Sequence, residues 1–341
     1  MRSVAPRPNL AVATIRTRSI VSDQPADALT PSKATSVTAT THLAQPATKT
    51  TAPATLADLA AAHGLTLSGA RPPLTSYVRQ LWGRRHFVTA YATARMHATY
   101  STARLGQVWH LVTPLLNAAV YYFIFGVIMN ASHGVADYVP FLITGVFVWD
   151  FIGSSINAST RSVHSNLGLV RALHFPRASL PLSTVVQLFQ QLLVTMGALV
   201  LLLLAFGQTP SLKWLMAAPT LALMAVFCAG VAMVMARIGS KSPDISQLMP
   251  FILRTWMYSS GVMWSIDSML SKDHLAHWVT VVLKTNPAAV YIDLMRYSLI
   301  DSFPAHALPH HVWAIALGWA LLTGVGGFIY FWKAEEDYGR G

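Results

Sequence analysis

Charged side chains are scarce in this sequence. Asp, Glu, Lys and Arg make up 11% of its 341 residues, whereas an ordinary globular domain carries about 25%. Hydrophobic residues make up 53%. This balance argues against a soluble fold covered by charged side chains. Long apolar runs therefore decide the class of protein, because a hydrocarbon core needs about 20 apolar residues per helix.

Cysteine is nearly absent. The one cysteine, Cys228, lies inside an apolar run, which excludes a disulfide framework within the chain. The histidines are dispersed and do not have the convergent spacing of metal ligands, so we predict no metal site. The nearest cluster precedes the last apolar run: His306, His310 and His311.

The sequence also lacks a phosphate-binding GxxxxGK[ST] loop. Residues 239–242 (GSKS) have no upstream glycine and no preceding strand, so we read them as a turn. Neither GxSxG nor HExxH occurs. We therefore predict that the chain is not an enzyme by itself and binds no cofactor.

The formal net charge of +11 would suggest nucleic acid in a soluble protein. Here the basic residues flank the apolar runs, as they do beside membranes, and we predict no nucleic-acid partner. Residues 1–75 are rich in Ala, Thr, Ser and Pro with few aromatics. Such a composition cannot bury enough apolar surface to fold, so we predict a disordered cytoplasmic tail.

Residues 76–106 have a different character, because aromatics alternate with arginines along a loose apolar stripe. A basic helix with aromatic anchors prefers the membrane surface. We predict an amphipathic interfacial helix here, with a solvated basic linker as the alternative. Its candidate functional residues are Trp82, Arg84, Arg85, Arg95 and Arg104.

Six apolar runs follow, each of 21 or more residues. Only helices satisfy their own backbone in lipid. We therefore predict an all-α membrane protein with a six-helix transmembrane domain over residues 107–333 and a cytoplasmic tail over 334–341. The predicted spans are 108–129, 138–158, 178–206, 214–236, 248–270 and 311–332.

Loop charges set the predicted orientation. The loops after the second and fourth spans carry Arg161, Arg171, Arg177, Arg237 and Lys241, whereas the two short opposite loops carry only Lys213. The positive-inside rule places the first group in the cytoplasm. We predict a multi-pass plasma-membrane protein with both ends inside.

Two charges lie inside the predicted spans, and a charge in a membrane is a functional hypothesis by default. Asp150 and Arg254 are at similar depth, about 12 Å and 9 Å from the inner ends of their spans at 1.5 Å per residue. They could form an ion pair. The pair would serve either to lock helix packing or to line a polar path.

A polar stripe follows one face of the third span, because its members are three or four residues apart: Thr184, Gln187, Gln191 and Thr195. Hydrogen bonding between helices is one reading, and a path for a hydroxylated substrate is the other. Three aromatics, Trp149, Trp256 and Tyr258, could stack on sugar rings, although lipid-facing belts explain such residues equally well.

Four short stretches, in order over residues 77–332, resemble the membrane subunit of polysaccharide exporters in the ATP-binding-cassette (ABC) superfamily, the O-antigen and teichoic-acid export permeases of the type-2 group. They are LGQVW at 105–109 with TPL at 113–115; LITG at 142–145 with Trp149; Ser165, Asn166, Leu169 and Val170 followed by Phe175, Pro176 and Arg177; and Asn286 and Pro287 with Arg296.

The resemblance implies that two copies of the chain form a translocation path, with ATP and Mg²⁺ on separate cytoplasmic ATPase subunits. It also implies that the interfacial helix is a gate helix and that short re-entrant helices carry Asn286 and Pro287. Residues 160–174 would be the coupling segment that docks on the ATPase. Its candidate contact residues are Leu169, Val170, Arg171, Leu173 and His174.

The function predicted on this basis is export of a lipid-linked cell-surface polysaccharide of teichoic-acid, O-antigen or galactan type. The other expected partners are membrane lipid and a second copy of the chain. One alternative is a drug or lipid exporter of the same architecture. Another is a membrane-embedded transferase acting on lipid-linked sugars, which would need a polar catalytic cluster that the sequence does not contain.

Overall fold

The structure is a computed structural model that describes residues 71–99, 101, 104–129, 135, 137–172, 175–267, 277–336 and 338. Helices and turns account for these residues, and no strand occurs among them. The predicted all-α class is confirmed. The predicted N-terminal tail lies outside the described residues except for its last five positions.

Two helices precede the first long apolar helix. They are α1 (Leu74–Gly83) and α2 (Arg85–Thr99), which meet at a bend around Arg84. Tyr77 is the one buried residue of α1, whereas α2 packs along the later helix α6. Together they form what we call the interfacial pair.

The main bundle contains five helices long and apolar enough to cross a membrane, counted over the described part of the chain. In the first, α3 passes into a π-helical turn over Tyr122–Ile128. Before the fourth, a 3₁₀ turn covers Leu212–Met216. The five are α3 (Trp109–Tyr121), α4 (Tyr138–Thr160), α6 (Ser179–Ala205), α7 (Ala217–Lys241) and α11 (Val312–Trp332). Between α4 and α6 lies the short helix α5 (Leu167–Ala172).

Helix α4 is the centre of the bundle and is buried along most of its length, with α3, α6 and α7 around it. Helices α7 and α11 approach closely through glycines. A Cβ atom at Gly230 would lie 2.2 Å from the backbone of Thr323, and one at Gly327 would lie 2.2 Å from the carbonyl oxygen of Gly230. Small residues allow such close contact in membranes, where dispersion drives helix packing.

The predicted fifth span, 248–270, differs from the structure. The helix here, α8 (Ile245–Ser259), has 15 residues and is therefore about 22 Å long, less than the roughly 30 Å of a bilayer core. It ends because Gly261 has a φ of +64°, a left-handed conformation that favours glycine at helix ends. The count of six full spans therefore stays a prediction.

After α8 the chain forms two more short helices, α9 (His277–Thr285) and α10 (Pro287–Leu299). Asn286 caps α10, since its side-chain oxygen accepts a hydrogen bond from the Ala288 N–H at 3.2 Å, and Pro287 occupies the first helical turn, where its missing N–H costs nothing. Short helices around Asn286 and Pro287 agree with the expected re-entrant helices; their position in a membrane stays a prediction.

Candidate functional site: an intramembrane cavity and the inner junction

A cavity of about 230 Å³ lies between α3, α4 and α8. Asp150 and Arg254 both line it, in agreement with their similar depth along the sequence. They are not joined at 4 Å or less: the ion pairs within the described residues involve Asp267 with Lys284, Asp293 with Arg296, and Asp267 with His306. The other polar side chains on its wall are Asn117, Tyr121, Ser154 and Asn157.

The aromatic candidates lie in different places. Trp149 lines the cavity and packs edge-on against Trp256, with ring centroids 5.7 Å apart. The indole N–H of Trp256 donates a hydrogen bond to the Asn286 side chain at 2.8 Å, so Trp256 joins α8 to the start of α10. Tyr258 is 46% exposed and is not among the cavity residues.

The polar side chains of α6 contact two different helices, α2 and α4. Thr184 accepts a hydrogen bond from Arg95 at 3.3 Å, and Gln187 donates one to Thr99 at 3.4 Å, so both face α2. Gln190, which was not predicted from the sequence, donates a hydrogen bond to Thr93, also on α2. Gln191 instead lines a narrow cavity beside Asp150. Helix-to-helix bonding therefore accounts for the contacts of Thr184 and Gln187.

The end of the bundle that carries the interfacial pair is the predicted cytoplasmic end, and we call it the inner end. Here the coupling segment contacts α2 directly. The Tyr91 hydroxyl donates a hydrogen bond to the Asn166 side chain at 2.8 Å, and the Phe87 and Phe175 rings lie 5.7 Å apart. Residues 160–174 and the adjacent Phe175 therefore contact α2 through their side chains.

The coupling candidates are only partly described. Val170 is buried at 6% exposure and Leu169 is half-buried, so Val170 packs on the protein itself. Leu173, His174 and the Arg171 side chain lie outside the described residues. The described residues of the segment that are exposed are Arg161, His164, Ser165, Gly168 and Ala172.

Among the gate-helix candidates, Trp82 is 70% exposed and Arg84, Arg85 and Arg104 are exposed. The Arg85 guanidinium lies 5.5 Å from the centre of the Trp82 ring. Exposed arginine beside exposed tryptophan suits a surface that meets anionic headgroups. Arg95 is directed inward to Thr184 instead.

Arg177 meets the C-terminal segment (residues 333–336 and 338) at the inner end. Its backbone N–H donates to the Glu335 carboxylate at 2.9 Å, and its guanidinium donates to the Glu335 carbonyl. The Tyr77 hydroxyl donates to the other carboxylate oxygen at 2.8 Å. Burial raises the pKa of Glu335, and the hydrogen bonds from Arg177 and Tyr77 oppose that rise. Neither Tyr77 nor Glu335 was predicted from the sequence as a site residue, since Tyr77 has the pattern of an aromatic anchor and Glu335 lies in the predicted tail.

Arg296 lies at the opposite, outer end and is 1% exposed. Its guanidinium group donates to three backbone carbonyls, those of Phe141 (3.1 Å), Gly261 (2.9 Å) and Val262 (2.8 Å). It also pairs with Asp293 at 3.1 Å. We call these residues the Arg296 cluster. The cluster joins α4, α10 and the turn that follows α8. Asp293 was not predicted from the sequence as a site residue.

The geometry defines a class: a multi-pass membrane protein of the all-α type, with the helix pair α1 and α2 at one end and the short helices α9 and α10 at the other. A sequence profile of the ABC-2 type transporter family matches residues 88–300, more than half of the chain. The chain belongs to the ABC-2 type transporter family and is a multi-pass protein of the cell membrane.

Three curated relatives agree with this assignment. The chain is 30% identical over 174 residues to the O-antigen export system permease protein RfbA of Klebsiella pneumoniae, covering 51% of this chain and 66% of that protein. It is 22% identical to the RfbA protein of Myxococcus xanthus, over 68% of this chain and 85% of that protein. It is 20% identical to the polysialic acid transport protein KpsM of Escherichia coli, over 63% and 82%. The resemblance to polysaccharide-export permeases is confirmed.

Proposed function

We propose that this chain is the permease subunit of an ABC exporter that moves a lipid-linked cell-surface polysaccharide across the plasma membrane. Two copies would form the path, and a separate cytoplasmic ATPase would bind ATP and Mg²⁺. The names of the relatives support a glycan cargo, of O-antigen or polysialic-acid type for those proteins. Teichoic acid and galactan are the other candidate cargoes.

The observation that carries the proposal is the contact of the coupling segment with the interfacial pair. The segment presents an exposed face at the inner end while Asn166 accepts the hydrogen bond from Tyr91. A partner that docks on that face would therefore displace α2 with it. This arrangement suits a permease that receives mechanical work from another subunit.

The cavity supplies a candidate part of the path. Its wall combines carboxylate, guanidinium, amide and hydroxyl groups with the Trp149 ring, and such a mixture suits hydroxylated sugar rings with apolar faces. Asp150, Arg254 and Trp149 are the residues we propose to contact cargo. Gln191 lies beside them, whereas Gln187 contributes to the position of α2.

The docking test uses Gly168, which is exposed and would have no atom within 4 Å of an added Cβ. Gly168→Trp adds bulk to the proposed docking face without a clash inside the subunit. We expect the variant to insert normally yet to lose the ABC ATPase that co-purifies with the tagged full chain. Gly168→Ala is the matched control and should retain it. Undiminished ATPase recovery with Gly168→Trp would contradict the assigned docking face.

The cargo test is depletion of the chain in its own cell. We expect lipid-linked glycan to accumulate on the inner face of the membrane, detected by extraction and mass spectrometry of the lipid fraction. Accumulation of a free lipid, or sensitivity to a drug with normal surface glycan, would favour the alternative exporter. The absence of all these changes would contradict an export role in that cell.

A further inference from the structure

The Glu335 side chain is buried at 7% exposure although it follows the last helix by only three residues. Two donors from different parts of the chain converge on its carboxylate, the Tyr77 hydroxyl at 2.8 Å and the Arg177 N–H at 2.9 Å. Leaving a buried acceptor unpaired is costly. The carboxylate therefore favours the arrangement in which both donors are in place.

Tyr77 extends the connection. While its hydroxyl donates to Glu335, the same oxygen accepts a hydrogen bond from the Ala178 N–H at 3.2 Å, at the start of α6. Tyr77 is 1% exposed and its ring packs against Phe328 of α11, with centroids 5.8 Å apart. Tyr77 is the one buried residue of α1, and the partly buried Leu81 packs against the same cluster, so Tyr77 is the main side chain that fixes the position of α1.

A second contact supports the same connection from the surface. The Trp332 indole N–H donates to the Pro72 carbonyl at 3.0 Å, and the Arg71 N–H donates to the Glu336 carboxylate at 2.9 Å. Both contacts reach the residues that precede α1. The C-terminal end of the chain, from Trp332 onward, thus contacts α1 and its entry at three points.

We infer that Glu335 is a positioning residue for the interfacial pair, and that the C-terminal segment fixes α1 against the start of α6 through Tyr77. The connection is between two parts of the chain that lie 258 residues apart. Its consequence for export, that release of Glu335 frees the gate helix, rests on the proposed function. The position of α1 itself does not.

The test measures the distance between nitroxide labels at Arg79→Cys in α1 and Lys241→Cys at the end of α7, both exposed positions, in a Cys228→Ala background. The full chain is reconstituted in lipid nanodiscs. We expect one narrow distance distribution in the parent. Tyr77→Phe removes the hydroxyl, and Glu335→Met removes both acceptor oxygens and leaves the two donors unpaired, so each should replace the narrow peak with a broad one.

Lys333→Met is the matched control, because it introduces the same residue at a neighbouring exposed position, and it should keep the narrow peak. An unchanged distribution in both Tyr77→Phe and Glu335→Met would overturn the inference, as would equal broadening by Lys333→Met. If Tyr77→Phe folds poorly, Glu335→Met alone decides, since methionine is similar to glutamate in length.

A second measurement separates this inference from the proposed function. Surface glycan is quantified in cells that carry Glu335→Met or Lys333→Met in place of the parent chain. A broad distance with reduced export supports both proposals. A broad distance with normal export upholds the positioning role and contradicts its link to the gate.

Discussion

The two ends of the molecule each contain a buried charged side chain, yet the surroundings differ. At the outer end, Arg296 bonds to carbonyls of α4 and of the turn after α8, and α10 itself has ten buried residues. At the inner end, Glu335 holds α1, which has one. The Arg296 cluster is therefore part of the core, whereas the Glu335 contacts attach a surface helix. The same kind of contact fixes the bundle in one case and positions a separable element in the other.

The largest effect is expected for Arg296→Met. The change leaves three carbonyls without a donor and Asp293 without its partner, and breaking a buried pair in this way costs about 3–5 kcal/mol. The free energy of unfolding in mixed micelles measures the loss. Lys241→Met, at an exposed position at the inner end of α7, should change it by no more than about 0.5 kcal/mol. Similar losses for the two variants would contradict the assignment of Arg296 to the core.

Gly145→Ala tests the space around the same guanidinium. A Cβ atom there would lie 2.5 Å from Nη2 of Arg296 and 2.9 Å from the Val262 carbonyl oxygen. Overpacking of this kind costs about 1–3 kcal/mol, again measured in micelles. Gly197→Ala is the control, since that Cβ would meet no atom within 4 Å, and it should be neutral or slightly stabilising.

Asn286→Ala should cost less, about 1–2 kcal/mol, because it removes the cap of α10 and the acceptor for Trp256. Asn286→Asp keeps an acceptor for the Ala288 N–H and the Trp256 indole but cannot donate to Ser260. We therefore expect it to lie between the parent and the alanine variant in a thermal melt. Equal melting temperatures for the two variants would show that the stabilisation comes from the hydrogen bond that the Asn286 amide donates to Ser260.

The smallest effect concerns pH and α1. Burial raises the pKa of Glu335; Arg177 and Tyr77 are the titratable or charged groups that face it, and Tyr338 interacts with Tyr77. A carboxyl whose pKa is higher while α1 is docked through Tyr77 than after α1 is released binds its proton more tightly in the docked state. The contact therefore weakens as pH rises through the interval between the ordinary and the raised pKa, and changes no further above it.

The nitroxide distance between positions 79 and 241 measures this change. The broad component should grow as the pH rises from about 4, and Glu335→Gln should abolish the dependence because the amide does not titrate. A pH response that persists in Glu335→Gln would assign it to another group.

Several features could be predicted from the sequence because they depend on local composition. Apolar runs and the lack of charge determine the all-α membrane class, and the ordered motifs determine the family. The similar depth of Asp150 and Arg254 follows from counting residues, and both line one cavity. The length of α8 could not be read from the apolar run, because Gly261 ends the helix by its backbone conformation rather than by polarity.

The roles of Arg296 and Glu335 were decided by the tertiary structure. The sequence by itself places Arg296 in a motif and Glu335 in a tail, and each would be compatible with solvent. The partners of Arg296 come from Phe141, Gly261 and Val262, and those of Glu335 come from Tyr77 and Arg177. Since none of these contacts is local and several use backbone groups, which every residue type offers, no pattern of residue types along the chain specifies them.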